Sequence, residues 1–311
     1  MLNNNNSSAK YAFLYLLSLA ALILTGLSVG MVIFQIINKF IPDPIDQFRA
    51  SFDTGALRFA ISALIVAAPI FFVISRFIYK ALYKGKLDKD SGIRKWLTYF
   101  ILLVSSVVIL GWFIGLINSY LGGELTIKFA LKAIASIIIS GLGFSFYLYD
   151  IRRPNVIGIK DSLISFFFYL SLVLVISAFI FGLVLGESPA EARNKKLDNA
   201  VINDFISIEN AINRYYQAES KLPDNLSVLQ QGDSVINQKA LIDPEIGQAY
   251  EYSIINSERY ELCADFRTSN LEEDSDLSNF YKEEWPHNQG RQCIGKNIEH
   301  PKELLTPSPV F

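Results

Sequence analysis

Few residues in this 311-residue chain have the types or the spacing to do chemistry. There are two cysteines, Cys263 in "RYELCADFRTS" and Cys293 in "GRQCIGK", so they form one bridge or stand as two free thiols, depending on the compartment. The histidines, His287 in "WPHN" and His300, have no second ligand at a metal spacing, and His287 reads as a packed loop residue rather than a base. The acidic run "EEDSD", residues 272–276, offers oxygen atoms to calcium. It lacks the ordered spacing and turn glycine of a dedicated calcium loop, and reads as a solvated charged loop. Lys128 and Lys132 lie one helical turn apart in an apolar stretch, where an ammonium is costly unless it snorkels or pairs. Either Lys128 snorkels and Lys132 is satisfied by Glu124 or helix-end carbonyls, or the two line a polar cavity for a small ligand or ion. There is no glycine-rich phosphate loop and no paired nucleophile and base in the apolar stretches. The expectation is a protein without catalytic residues, resident metal or cofactor.

The elements that must position these residues are set by composition. Hydrophobic residues make up 51% and charged residues 19%, too oily for a soluble chain of this length. The charge is also divided. Up to Gly186 there are 16 Lys and Arg against 8 Asp and Glu, and from Glu187 onward 12 against 22. A spanning helix needs about 20 mostly apolar residues. Five stretches qualify, over about residues 11–38, 57–79, 97–121, 127–149 and 163–185. The first is longer than the apolar core of a signal peptide and lacks a clear small-residue cleavage site, so it is read as an anchor. Pro69 could kink the second.

Loops rich in Lys and Arg stay preferentially cytoplasmic. The 80–95 loop carries Lys80, Lys84, Lys86, Lys89, Arg94 and Lys95, and the 152–160 loop carries Arg152, Arg153 and Lys160. The loop after the first span balances Lys39, Arg49 and Arg58 with Asp43, Asp46 and Asp53, and "SYLGGE" has no basic residue. This distribution predicts a multi-pass protein of the cell membrane whose tail, residues 1–10, is cytoplasmic and whose domain after residue 186 is extracytoplasmic. Tyr11, Tyr79, Trp96, Tyr99, Tyr120, Tyr147 and Tyr149 fall near span ends, where amphipathic rings favour the headgroup layer. Gly26 and Gly30, at an i, i+4 spacing, let another backbone approach, within the bundle or at a dimer seam; Gly141 and Gly143 could do the same.

The external domain, residues 187–298, opens with a helix that is expected to continue from the fifth span. Leu197, Val201, Phe205, Ile208, Ile212 and Tyr215 form its apolar stripe, with Asp198, Asn203, Glu209 and Arg214 on other faces. Pro223 stops it. A short helix or loop around residues 227–240 is followed by "IDPEIGQAYEYSIINSERYELCADF", which reads as two strands. Tyr250, Tyr252 and Ile254, then Tyr260, Leu262, Ala264 and Phe266, alternate at period two. Such a hairpin can lie across the helix stripe. The end, residues 299–311, is Pro-containing and polar, and is expected to be disordered.

The order "AINRYYQAESKLPDNLSVL", "DPEIGQAYEYSI", "YELCADF" and "WPHNQGRQC" resembles the soluble heads of type II secretion pseudopilins and type IV pilin-like proteins, over about residues 192–294. The resemblance implies an α+β head, a helix on a small antiparallel sheet, with a C-terminal loop pinned by the cysteines. Five spans stand here in place of that family's single processed helix. The membrane half, through "RKWLTYFILLVSSVVILGWFIGLINSYLGGELTIKFALKAIA" and "YDIRRP", resembles an uncharacterised bacterial family of multi-span membrane domains.

The fold class expected is therefore a five-helix membrane bundle followed by a small α+β domain, a long helix packed on an antiparallel sheet. An extracytoplasmic head favours a Cys263–Cys293 bridge, with two free buried thiols the alternative. The functional expectation is non-catalytic: interaction with an envelope protein partner or with further copies of the chain, or scaffolding, in contact with the lipid bilayer and not with nucleic acid, which the acidic head would repel. The alternative is a small-solute transporter or channel using Lys128 and Lys132.

Overall fold

The computed structural model describes residues 4–41, 52–154, 156–230, 236–271 and 282–298, and the chain divides into two compact units between Glu187 and Ser188. The first unit holds α1 (Asn4–Phe40), α2 (Thr54–Tyr83), α3 (Gly92–Leu121), α4 (Ile127–Arg152) and α5 (Ser162–Leu185). All five are long and apolar enough to cross a membrane. Three of them, α2, α4 and α5, are capped by a short polar side chain placed where the helix begins. The Asp53 carboxylate accepts the amides of Gly55 and Ala56 ahead of α2, at 2.7 and 3.1 Å. Thr126 caps α4 through Phe129, and Asp161 caps α5 through Leu163 and Ile164. Asp53 also ties two helices together, because its own N–H donates to Gln35 Oε1 of α1 at 2.8 Å. Pro69 lies inside α2, which runs unbroken from Thr54 to Tyr83.

Small and branched side chains form the bundle core. Val29 and Val32 of α1 meet Leu57, Ala60, Leu64 and Ala68 of α2 and Val175, Ala178 and Leu185 of α5. Toward the start of α1, Tyr11, Leu14 and Leu17 pack on Ile74, Ile78 and Leu82 of α2, so the two helices run antiparallel. Large apolar side chains such as Val73, Leu103, Ile114 and Val184 face outward, as lipid-facing residues must.

The second unit is the head: α6 (Pro189–Glu219), two 3₁₀ turns at Leu226–Gln230 and Gln238–Leu241, and strands β1 (Glu251–Asn256), β2 (Arg259–Phe266) and β3 (Gly290–Asn297) in one antiparallel sheet of order β1-β2-β3. Contrary to the sequence expectation, α6 does not continue from α5. Gly186 ends α5, and Ser188 opens a new helix by accepting the Glu191 amide at 3.1 Å, with Pro189 in the first turn. "SPAE" thus has the spacing of a capping box. The head core joins Val201, Ile202, Phe205, Ile208 and Ile212 of α6 to Tyr260, Leu262 and Phe266 of β2 and to Trp285. Phe205 lies at its centre, edge-on to Tyr250 at 5.1 Å and beside Trp285 at 5.2 Å.

The segment carrying Cys293 is a strand, where a pinned loop was expected. Cys263 and Cys293 are directly opposite in the β2–β3 register and form a disulfide. The bridge therefore joins two neighbouring strands. It lies on the sheet face opposite the core, because Tyr260, Leu262 and Phe266 are the residues of β2 that point at α6.

Candidate functional site

The membrane unit contains a cleft of about 550 Å³ bounded by α1, α2, α4 and α5. Its depth is apolar: Val29 of α1, Phe72 of α2, Ile139 and Leu142 of α4, and Leu174 and Val175 of α5. Its mouth is polar, with Ser75, Arg76, Tyr79 and Lys80 from the last turns of α2, Lys160 just before α5, and Ser165 in the first turn of α5. Arg76 and Lys80 share one helix face because they are four residues apart. Both are exposed, as is Lys160, and none of the three has a carboxylate partner among the described residues. Gly26 opens the cleft from the α1 side, since a Cβ built there would meet nothing within 4 Å.

Beside the cleft, the ends of α3, α4 and α5 are joined by a buried ion-pair network. Arg94 donates to the Asp150 carboxylate at 2.6 Å and to the carbonyl oxygens of Asp150 and Lys89 at 3.1 and 2.7 Å. Arg153 pairs with the other Asp150 oxygen and reaches Asp161 at 3.8 Å. Asp161 in turn accepts the Tyr149 hydroxyl at 2.9 Å while capping α5. Two arginines against two aspartates close the local charge balance, which buried ions require. A pocket of about 80 Å³ lined by Tyr15, Tyr79, Arg94, Tyr147 and Asp150 adjoins the network, and Tyr79 and Tyr147 belong to the cleft as well.

The sequence singled out other positions in this unit. Lys128 is buried in the first turn of α4, and the Lys132 ammonium lies 5.9 Å from the centre of the Phe34 ring; neither lines the cleft. Gly30 has Ile139 Cδ1 at 3.9 Å from a built Cβ, and Gly26 faces the open cleft. Tight helix contact occurs instead at Gly182, where a built Cβ would stand 3.1 Å from Ile61 Cγ1 and 3.6 Å from Val32 Cγ2. In sequence, Arg94 and Arg153 read only as loop cations, and Asp150 and Asp161 carry no motif. The available signal was Asp150 three residues before Arg153, an ion-pair spacing at a helix end.

In the head, Asp198 is 2% exposed although the helix pattern placed it on a polar face. It accepts the amides of Arg267 and Thr268 at 2.9 and 2.7 Å and the Thr268 hydroxyl at 2.6 Å. The Arg267 guanidinium lies 3.6 Å from it and also pairs with Glu245 at 2.6 Å and Asp243 at 3.5 Å. Nearby, burial pushes the Asp204 carboxyl above its usual range, partly offset by a 2.8 Å hydrogen bond from Tyr250. His287 is 3% exposed and stacked on Phe266 with ring centres 3.8 Å apart, and its Nδ1 lies 3.0 Å from the Trp285 carbonyl oxygen. Glu261, Cys263 and Cys293 converge, but both sulfurs are in the disulfide and offer no thiolate to a metal. His300 and the 272–276 acidic run lie outside the described residues.

A family model described as a domain of unknown function, DUF5671, matches residues 11–146, from the start of α1 into the last third of α4. The N-terminal region is therefore similar to an uncharacterised domain. No curated protein and no solved structure matches the chain.

Proposed function

We propose that this is a multi-pass protein of the bacterial cell membrane that holds a pseudopilin-like head outside the cytoplasm, where the head binds an envelope protein or scaffolds an assembly without catalysing a reaction. The observation that carries the reading is the Cys263–Cys293 disulfide of the head, because disulfides persist in oxidising compartments and are rare in the cytosol. The basic loops support it: Lys80, Lys84, Lys86 and Lys89 follow the second span, and Arg152, Arg153 and Lys160 follow the fourth, an even-numbered pattern that suits a cytoplasmic N-terminus. A helix on a small antiparallel sheet is also the arrangement that the pseudopilin resemblance leads one to expect.

β1 is an edge strand, and Ile255 on it is 49% exposed, which makes it a good reporter of contact. A photo-crosslinking residue at Ile255, expressed in the native cells, is expected to give one or a few discrete adducts containing an envelope protein or a second copy. A diffuse set of random neighbours would contradict a binding head.

The second reading is a small-solute transporter or channel, favoured by the burial of Lys128 in α4. It requires Lys132→Ala to abolish a measurable solute flux while membrane insertion is retained. Unchanged flux would remove it.

A further inference from the structure

The cleft of the membrane unit combines features that neither a structural core nor a water-filled pore needs. Its interior is a wall of Phe, Ile, Leu and Val side chains, which offers nothing to a hydrated ion. Its mouth gathers Arg76, Lys80 and Lys160, three cations without a carboxylate partner among the described residues. Arg94 and Arg153, by contrast, are consumed by Asp150 and Asp161 a short distance away. Those two buried arginines are thus neutralised, and the mouth is left positive. Tyr79 stands in the same mouth, while the Ser165 hydroxyl is held by the Asp161 carbonyl oxygen at 3.1 Å. A complementary occupant carries an anionic oxygen cluster at one end and a hydrocarbon chain at the other.

We propose that this cleft binds an anionic phospholipid, with its phosphate at Arg76, Lys80 and Lys160 and one acyl chain along the wall formed by Phe72, Ile139, Leu142 and Leu174. Guanidinium and ammonium groups are the usual donors to phosphate oxygens, Arg in a fork and Lys as a point charge. The mouth lies where α2 ends and α5 begins, at a span end, so the headgroup sits at headgroup depth and the tail within the hydrocarbon. Under the orientation proposed above, that depth is the cytoplasmic leaflet, but binding itself does not depend on that orientation.

Native mass spectrometry of the full-length protein, incubated with phosphatidylglycerol or phosphatidylcholine at equal concentration, tests this. Phosphatidylglycerol is expected to be retained over phosphatidylcholine by about tenfold or more, the scale set by several cations acting on one anionic lipid. The combined variant R76Q/K80Q/K160Q is expected to lose that preference. Gly26→Leu fills the cleft from α1, where there is open space for a side chain, and is expected to reduce retention of both lipids while leaving the helical content unchanged. A Lys84→Gln/Lys86→Gln control, altering cations that do not line the cleft, is expected to behave as the native chain. Equal retention of the two lipids by the native protein, retention unchanged by Gly26→Leu, or a bound mass corresponding to inorganic phosphate alone would overturn the assignment.

Discussion

A carboxylate as enclosed as Asp198 must be neutralised or hydrogen-bonded, and here it is both: two backbone amides, one hydroxyl and the Arg267 guanidinium surround it. It fixes the end of β2 to the first turns of α6. Asp198→Ala leaves those donors and the Arg267 charge without their acceptor, and is expected to cost about 3–5 kcal/mol. Urea unfolding of the full chain, read by hydrogen exchange at β2 amides, measures it. Tyr250 and Tyr252 make the head sensitive to alkali. Burial, reinforced by the hydrogen bond to Asp204, raises the Tyr250 phenol above its ordinary value, and burial pushes Tyr252 up to about 12. An acid whose folded-state pKa is raised contributes stability below its unfolded value, about 10 for tyrosine, and that contribution is lost as pH rises toward the folded value. Head stability is therefore expected to fall above about pH 10, and Tyr250→Phe to flatten that alkaline limb. Unfolding midpoints across pH 8–12 check the sign, in the range set by the tyrosine reference value of about 10. At this scale the sequence was a poor guide. Helical periodicity assigns Asp198 by its charge to a solvent face, whereas its burial is decided by the amides of residues 267 and 268, about seventy positions away.

Among the elements, those with a strong periodic signal were legible. The α6 stripe from Val201 to Ile212 and the alternation of Tyr260, Leu262 and Phe266 became the two halves of the head core. β3 was not legible. Its inward positions, Gln292, Ile294 and Lys296, are only half-buried and mostly polar, and Gly290 and Gly295 weaken any strand signal. Its pairing is a tertiary fact, visible only once Cys293 lies opposite Cys263. The break before α6 was present in "SPAE" and was masked by the apolar run ahead of it. Helix packing makes the same point. The i, i+4 rule selected Gly26 and Gly30, yet Gly182 and Gly186 share that spacing and make the closer contacts, with Ile61. Gly182→Val is expected to destabilise the bundle by about 1–3 kcal/mol through overpacking. Gly26→Ala should stay within about 0.5 kcal/mol, because it meets no neighbour. Thermal unfolding of the purified protein in detergent separates the two, and equal effects would contradict the packing described.

The whole molecule places opposite charge in its two units: a basic, apolar membrane unit and an acidic head. That division was readable from composition, because a bilayer imposes span length and loop charge on any sequence that crosses it. The cleft was not readable, since its lining comes from four helices and its mouth residues look in sequence like ordinary loop cations. Compartment links the disulfide, the loop charges and the binding role, so orientation is the claim on which the functional proposal stands. It is tested by placing single cysteines at Asp88 and Ser257 in a chain lacking Cys263 and Cys293. Both positions are exposed, one between α2 and α3 and the other in the β1–β2 turn. With a membrane-impermeant maleimide on intact cells, an extracytoplasmic head predicts labelling at Ser257→Cys, and at Asp88→Cys only after permeabilisation. Labelling of Asp88→Cys in intact cells, with Ser257→Cys protected, would contradict the orientation and the functional reading that depends on it.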